Sequence, residues 1–264
     1  MSSYHRDFKL NGISFFSTKE MVAFSQSISD ELTCFLREWF SSDPFICIKT
    51  SGSTGAPKNI QLQKTWMIES AVRTASFFEL PSKTTALCCL PIDFIAGKMM
   101  VVRALTHGWY LDIITPNSFP LKNVCRSYDF AAMIPLQVSN SLDKIHLIQK
   151  LIVGGGVISC QLEKSIKKLK SQVFATYGMT ETISHIAIKI LNGPNQTSCY
   201  QVLSNIEIGI DHRNCLIIKA PGISSDIIVT NDIIELISQT KFIWKGRFDN
   251  IINSGGVKLH PEVL

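Results

Sequence analysis

Residues 150–182 read KLIVGGGVISCQLEKSIKKLKSQVFATYGMTET, and their pattern predicts a strand, a turn, a helix and a second strand in succession. The apolar run KLIV precedes Gly154, Gly155 and Gly156, and QVFATYG is the second strand-like run. Over residues 158–170, apolar side chains recur at helical spacing on the face opposite four lysines. This order favours an α/β fold, a mainly parallel sheet flanked by helices.

The same alternation extends toward the N-terminus. Strand-like runs are FICIKT (45–50), LCCLPI (87–92) and LDIITP (111–116), and helix-like segments are IQLQKTWMIESAVRTASFF (60–78) and KMMVVRALTHG (98–108). Ligands of such folds bind at the carboxyl ends of the strands. The segments rich in glycine, serine and threonine fall at those ends.

Beyond about Ile183 the pattern changes to short strand-like runs separated by turn residues, which predicts a small antiparallel β subdomain. The runs are IEIGI (206–210), CLIIKA (215–220), DIIVT (226–230) and IIELI (233–237). The predicted organisation is an α/β core over 1–182, which binds nucleotide and acid, and a β-rich subdomain of the same large domain over 183–245.

Composition restricts the class of protein. The 264 residues are 45% hydrophobic and carry a formal net charge of +5, with basic residues spread along the chain, so we expect no nucleic acid partner. No apolar run reaches the ~18 residues of a membrane span, and the N-terminus lacks the apolar core of a signal peptide. We expect a cytoplasmic protein, and a homo-oligomer is possible. We expect its eight cysteines to be reduced thiols in the core.

The segment TSGSTGAPK, residues 50–58, predicts a phosphate-binding loop. Its backbone N–H groups, its hydroxyls and one lysine can all approach a polyphosphate; the residues concerned are Thr50, Ser51, Gly52, Ser53, Thr54, Gly55 and Lys58. The spacing differs from that of the P-loop, which requires Gly-Lys-Ser/Thr after four intervening residues. An ordinary surface turn rich in serine and glycine is the alternative.

Five motifs in order resemble the signatures of the adenylate-forming superfamily, which includes acyl-CoA synthetases. They are TSGSTGAPK (50–58), GGG (154–156), YGMTET (177–182), TND (230–232) and KGRFDNIINSGGVKLHP (245–261). Within it, LPIDFIAGKMMVVRAL (90–105) and the short length most resemble the o-succinylbenzoate-CoA ligases of menaquinone biosynthesis. The resemblance implies the large N-terminal core of these enzymes and a reaction that joins an acid to CoA through acyl-AMP, with ATP and Mg²⁺.

The resemblance also assigns the nucleotide site. Lys58 and its loop hold the phosphates that leave as pyrophosphate, Thr180 donates to the α-phosphate, and Glu181 binds Mg²⁺. The other implied contacts are Tyr177, Gly178 and the three glycines at 154–156 for adenine, and Asp232 and Arg247 for the ribose and phosphates. Lys58, Thr180 and Glu181 are the implied catalytic residues.

For the acid, the resemblance points to Arg103, which matches a position that holds the second, unreactive carboxylate. An arginine that pairs with an acidic neighbour at a helix edge is the alternative. Phe94 departs from the family, which commonly has histidine at this entrance to the acyl pocket.

In the resembling enzymes, a C-terminal domain of on the order of 100 residues rotates for the CoA step. Asp249 matches its hinge, and Ser254, Gly255 and Gly256 match a loop lining the CoA tunnel. We expect residues 246–264 to be the hinge and the start of that domain, which is otherwise absent together with its catalytic lysine. Without that domain and its lysine, we expect the chain to form the acyl-adenylate slowly and the thioester poorly or not at all. A ligase for another aryl or acyl acid, or a nucleotide-binding fragment without turnover, are the alternatives.

Overall fold

The computed structural model describes residues 4–49, 59–250, 252–254 and 257–259. The helices are α1 (Thr18–Ser25), α2 (Asp30–Phe40), α3 (Lys64–Phe77), α4 (Ile95–His107), α5 (Pro135–Ser139) and α6 (Cys160–Ile166). Short 3₁₀ helices span Ile145–Leu147, Thr180–Thr182 and Phe248–Asn250. None of the helices in these ranges has both the length and the apolar character needed to cross a bilayer.

The strands up to the end of the predicted core are β1 (Lys9–Leu10), β2 (Phe45–Lys49), β3 (Asn59–Gln63), β4 (Thr85–Cys88), β5 (Tyr110–Ile113), β6 (Tyr128–Met133), β7 (Ile148–Val153) and β8 (Gln172–Gly178). The later strands are β9 (His185–Ile190), β10 (Tyr200–Val202), β11 (Glu207–Ile210), β12 (Cys215–Lys219), β13 (Ile228–Ser238), β14 (Lys241–Arg247), β15 (Ile252–Ser254) and β16 (Val257–Leu259).

Twelve of the described strands form one sheet, in the order β1-β5-β4-β6-β7-β8-β9-β10-β14-β13-β12-β11. Pairing is parallel from β1 to β8 and antiparallel from β8 to β11. The α/β fold class is therefore confirmed. The pairing changes between β8 and β9, at the expected boundary of the β-rich subdomain. That the residues from 183 onward form a subdomain of their own stays a prediction, because the sheet continues across the boundary.

Two hydrophobic clusters cover the two faces of the sheet. Alternate residues of β4 point to opposite sides, so Cys88 belongs to the cluster packed under α2, α3 and α4, whereas Leu87 belongs to the one under α5 and α6. The layers are therefore helix, sheet and helix. Of the eight cysteines, Cys88, Cys89 and Cys215 are buried, while four are exposed, so the expectation of core thiols is wrong for those four.

Two predicted elements differ from the structure. Residues 59–63 form strand β3, which pairs antiparallel with β2, whereas the sequence predicted that the helix began at Ile60. The alternation of Ile60 and Leu62 with glutamines has the strand period of two, and pairing with β2 decides the conformation. The helix expected over 158–170 spans only Cys160–Ile166, because Ser159 caps its N-terminus and the chain turns after Lys167.

Candidate functional site

The candidate site lies where β7 and β8 end at the same edge of the sheet. These strands are parallel and in register, with Val153 opposite Ala175. Val153 is followed by the three glycines, and Gly178 by the 3₁₀ helix that contains Thr180 and Glu181. The structure thus brings two of the five motifs side by side at the carboxyl ends of parallel strands, the usual place for ligands in α/β folds.

The first of the three glycines leaves no space for a side chain. A Cβ on Gly154 would lie 2.4 Å from Oγ1 of Thr176, and that hydroxyl donates to the carbonyl of Val153 at 3.2 Å. Gly155 has φ +74°, a left-handed conformation that favours glycine. The turn therefore requires glycine at 154 and favours it at 155.

Asp232, in β13, is the centre of the nucleotide half of the site. Tyr177 Oη donates to Oδ2 of Asp232 at 2.6 Å, and Trp244 Nε1 donates to Oδ1 at 3.0 Å. Asp232 is 6% exposed, and Thr230 Oγ1 accepts its backbone N–H at 3.0 Å. Two of the roughly four acceptor positions of the carboxylate are occupied, so two remain for ligand hydroxyls.

Tyr177 keeps its proton in this arrangement. Burial of its ring, and then the negative charge of Asp232, raise the pKa of the Tyr177 phenol. The ring packs at steep angles against Tyr200 and Phe242, with centroids 6.0 and 5.3 Å away. Its predicted contact with adenine stays a prediction, while its hydroxyl is a donor that fixes the Asp232 side chain.

Arg247 lies directly opposite Asp232 in the pairing of β13 and β14. Its Nη2 donates to Oδ2 of Asp249 at 2.9 Å, and Asn231 Nδ2 donates to both Asp249 oxygens at 3.2 and 3.1 Å. The bond from Arg247 is the main reason that the pKa of Asp249 is lowered. The predicted ribose contact and the predicted hinge are thus connected by an ion pair.

Glu181 is the residue predicted to bind magnesium. Its carboxylate is exposed, and within residues 4–49 and 59–250 no hydrogen bond or ion pair occupies it. No group of three or more histidine, cysteine or acidic residues within the described part of the chain could hold a metal. One open carboxylate fits Mg²⁺, which usually takes its other ligands from phosphates and water.

The chain directly after Glu181 is strained. Ile183 has φ +66° and ψ −49°, and Ser184 N–H donates to the carbonyl of Thr182 at 2.7 Å, which makes a γ-turn centred on Ile183. Such a conformation costs on the order of 1–3 kcal/mol in a residue other than glycine. Ile183 is completely buried, and its packing holds the turn that directs Ser184 toward helix α4.

Arg103, in α4, has no acidic partner among the described residues, so the alternative of an ion pair at a helix edge is wrong. The side chain is 2% exposed, and Nη2 donates to Ser184 Oγ at 2.5 Å while Nη1 contacts Met100 Sδ at 3.8 Å. Nε has no hydrogen-bond partner in the described part of the chain. Burial lowers the pKa of Arg103 to about 10. A buried, uncompensated guanidinium is suited to bind an anion.

Two histidines lie near this guanidinium, and neither can supply a negative charge to balance it. Burial, and then Arg103, lower the pKa of His185 well below its ordinary value. Burial likewise lowers the pKa of His107, one helical turn after Arg103. Phe94 is 47% exposed at the N-terminus of α4, nine residues before Arg103, which corresponds to about 13 Å along a helix.

Some predicted positions lie outside the described residues. They are the phosphate loop at 50–58, including Lys58, and the glycines at 255 and 256. The flanking residues Lys49 and Asn59 are opposite each other in the β2–β3 pair, and Ser254 ends β15. Their predicted roles stay predictions.

Three contacts of the site were not predicted from the sequence. They are the indole N–H of Trp244 on Asp232, the hydroxyl of Ser184 on Arg103, and His185 beside Ser184. Ser184 and His185 lie two and three residues after the end of the YGMTET motif, and this closeness was a usable signal. Trp244 joins the site through the pairing of β13 with β14, which the sequence motifs do not specify.

We expect Gly178→Ala to disrupt the site. An added Cβ would lie 2.3 Å from the backbone oxygen of Ser184, and backbone cannot move aside as a flexible side chain could. The free energy of unfolding should fall by about 2–3 kcal/mol in urea denaturation. Gly209→Ala, where nothing lies within 4 Å of the added carbon, is the control and should change it by less than about 1 kcal/mol. Equal stability of the two variants would contradict the close approach.

Comparison with known proteins agrees with this geometry. The family model described as AMP-binding enzyme matches residues 16–222. A 2-succinylbenzoate–CoA ligase from Lactococcus lactis is 24% identical over 242 residues, which cover 83% of this chain and 53% of that protein. The chain therefore spans about half the length of the curated relatives it matches.

Two solved structures are similar as well. An acyl-CoA synthetase (AMP-forming)/AMP-acid ligase II-like protein from Dyadobacter fermentans has a TM-score of 0.77 and 36% identity, over 87% of this chain and 67% of that one. The o-succinylbenzoate coenzyme A synthetase of Bacillus subtilis, solved with ATP and magnesium, has a TM-score of 0.72 over 93% of this chain and 65% of that one. Its identity is 18%, so this second likeness concerns the fold.

Proposed function

The chain belongs to the AMP-binding enzyme family, and on that premise we propose that it activates a carboxylic acid with ATP to give an acyl-adenylate and pyrophosphate. In the whole protein, the acyl group is then transferred to CoA with release of AMP. The proposed acid is 2-succinylbenzoate and the product 2-succinylbenzoyl-CoA, an intermediate of menaquinone biosynthesis in the cytoplasm.

The observation that carries the choice of acid is the buried guanidinium of Arg103. Its Nε has no partner in the described residues, and no carboxylate of the described chain neutralises its charge. A site built in this way favours a substrate that brings its own anion to the interior. An aryl acid with a second carboxylate has that property, and the name of the Lactococcus lactis relative specifies such an acid.

The nucleotide half would be held mainly by directional contacts. The two free acceptor positions of Asp232 accept the ribose hydroxyls, while Tyr177 and Trp244 keep the carboxylate in place. The backbone at 154–156 and the Tyr177 ring enclose the adenine. Arg247 contributes positive charge on the side of β14 next to Asp232.

The phosphate half would be held mainly by charge. Thr180 donates to the α-phosphate, and the segment 50–58, with Lys58, holds the phosphates that leave. Glu181 would hold Mg²⁺, which supplies neutralisation of the polyphosphate charge during attack by the carboxylate. Donors fixed around a developing negative charge are the main catalytic contribution expected from such a site.

The transfer to CoA is proposed for the whole protein. Asp249 would be the hinge, and Ser254, Gly255 and Gly256 would line the passage of the CoA thiol. In the arrangement described, Asp249 is held by Arg247 and Asn231. A movement that separated Asp249 from Arg247 and Asn231 would break these contacts.

Pyrophosphate release with ATP, Mg²⁺ and a panel of acids tests the proposal. We expect 2-succinylbenzoate to give the highest kcat/KM. The analogue that keeps only the reacting carboxylate should be weaker by on the order of 100-fold, and the analogue that lacks it should release no pyrophosphate. A higher value for another aryl or acyl acid would assign the protein to that acid. Binding of ATP by calorimetry, competed by AMP but without pyrophosphate release from any acid, would instead indicate a nucleotide-binding module.

A further inference from the structure

A continuous line of hydrogen bonds connects helix α3 with the Arg103 guanidinium. Thr74 Oγ1 lies 3.3 Å from Nε2 of His185, and Nδ1 of the same ring lies 3.4 Å from Ser184 Oγ. Ser184 Oγ is the acceptor for Nη2 of Arg103. Thr74, His185 and Arg103 are all buried. Nη2 of Arg103 is therefore held in place through Ser184 and His185 by a hydroxyl of helix α3.

The hydrogens along this line have one consistent arrangement. Thr74 Oγ1 donates its single hydrogen to the carbonyl of Ser70 at 3.0 Å, so it must accept from the Nε2–H of His185. The lowered pKa of His185 keeps its ring neutral, which leaves Nδ1 as an acceptor. The Ser184 hydroxyl then donates to Nδ1 and offers its oxygen to Arg103.

We propose that His185, fixed by Thr74 as the Nε2–H tautomer, is a positioning residue for recognition of the acid, acting through Ser184 on Arg103. The inference rests on the proposed function and deepens it. Arginine recognises a carboxylate through a planar fork of N–H groups, whose direction decides whether two bonds or one can form. With Nη2 held by Ser184 and Nε without a partner, that fork has a set direction before the acid arrives.

The opposite tautomer would change which atoms donate and which accept in this line of hydrogen bonds. With the hydrogen on Nδ1, the ring would donate to Ser184 Oγ, and Nε2 would have no donor from Thr74, whose hydrogen is used by Ser70. Ser184 Oγ would then receive hydrogens from both His185 and Arg103 and its own hydrogen would have to turn away. The Thr74 hydroxyl is therefore the group that selects the tautomer.

Two measurements on the protein test this. Long-range ¹H–¹⁵N correlation NMR with ¹⁵N-labelled histidine, assigned with His185→Gln, reads the tautomer without any ligand. Calorimetry with 2-succinylbenzoate and its two single-carboxylate analogues, in the presence of AMP, with which no pyrophosphate can be released, reads the preference for the diacid. The preference is the dissociation constant of the better single-carboxylate analogue divided by that of the diacid.

The informative pair of variants is Thr74→Val and Thr74→Ser. Valine keeps the shape and removes the hydroxyl, whereas serine keeps the hydroxyl. The Thr74 hydroxyl is bonded to Ser70 and His185, so both variants reach Arg103 only through His185 and Ser184. We expect the wild type and Thr74→Ser to have the Nε2–H tautomer and the full preference. We expect Thr74→Val to lose that tautomer and about tenfold of the preference, as for one hydrogen bond to a charged group.

The outcomes separate this inference from the proposed function. An Nδ1–H tautomer in the wild type would overturn the inference, and so would a Thr74→Val protein that is only less stable, with an unchanged preference. Either result leaves the ligase proposal standing. A wild type that releases pyrophosphate without any preference for the diacid would overturn both the inference and the proposed acid, even with the Nε2–H tautomer present.

Discussion

Replacement of Asp232 by alanine is expected to weaken binding of AMP by more than about 100-fold and to lower the free energy of unfolding by about 2–4 kcal/mol. The first effect follows from loss of the two acceptor positions proposed for the ribose hydroxyls. The second follows because the phenol of Tyr177 and the indole N–H of Trp244 would both lose their acceptor in a largely buried place. Each unsatisfied buried donor costs roughly 1–3 kcal/mol.

Calorimetry with AMP and with 2′,3′-dideoxy-AMP separates the two effects. Wild type should prefer AMP, and Asp232→Ala should bind both nucleotides equally weakly. Asp226→Ala, which removes an exposed carboxylate from the loop after β12, is the control and should retain the wild-type preference and stability. An Asp232→Ala protein that still prefers AMP would show that the ribose lies elsewhere.

Much of the fold could be predicted because its signals are local. The β7–α6–β8 unit has a helical period between two apolar runs, and the structure confirms its order. Strand β3 was missed, since five residues that precede a long helix resemble its first turn until their pairing with β2 is known. Nothing in the motifs indicated β6, which the structure places between β4 and β7.

The candidate site, like the fold, has residues that could be predicted from the sequence and residues that could not. Asp232 and Arg103 were predicted from motifs, because each follows a recognisable segment of sequence. Their partners Trp244 and Ser184 come from other strands or turns, and only strand register or the γ-turn at Ile183 brings them close. A positive φ at a buried isoleucine contradicts local preference, so it could not be predicted from sequence. Structure is needed where tertiary contacts override local preference.

Replacement of Arg103 by methionine is expected to have two effects of opposite sign. The protein should become more stable, by about 1–4 kcal/mol, because an apolar side chain of similar length replaces a buried charge that has no acidic partner in the described chain. At the same time, the preference for 2-succinylbenzoate over its single-carboxylate analogues should disappear. Most substitutions of buried residues destabilise, so a gain in stability would be specific to this cause.

The pH dependence of that gain gives an independent check. The pKa of Arg103 in the folded protein, about 10, lies below its ordinary value of 12.5. Between these values the unfolded chain binds more protons, so wild-type stability rises with pH relative to the variant. The advantage of Arg103→Met should therefore be largest below pH 10 and shrink above it. Urea denaturation of both proteins at pH 8 and above pH 10 measures this difference.

Arg103→Lys is the matched control for Arg103→Met, and it distinguishes charge from geometry. Lysine keeps a positive charge but lacks the planar fork, so it should retain only part of the preference for the diacid, and it should not gain the stability of the methionine variant. If Arg103→Met instead destabilised the protein, the guanidinium would have a compensating partner and would not be held for a substrate. A loss of stability with the preference intact would remove Arg103 from acid recognition altogether. A gain in stability together with loss of the preference is the result expected when a fold keeps an unpaired buried charge for its ligand.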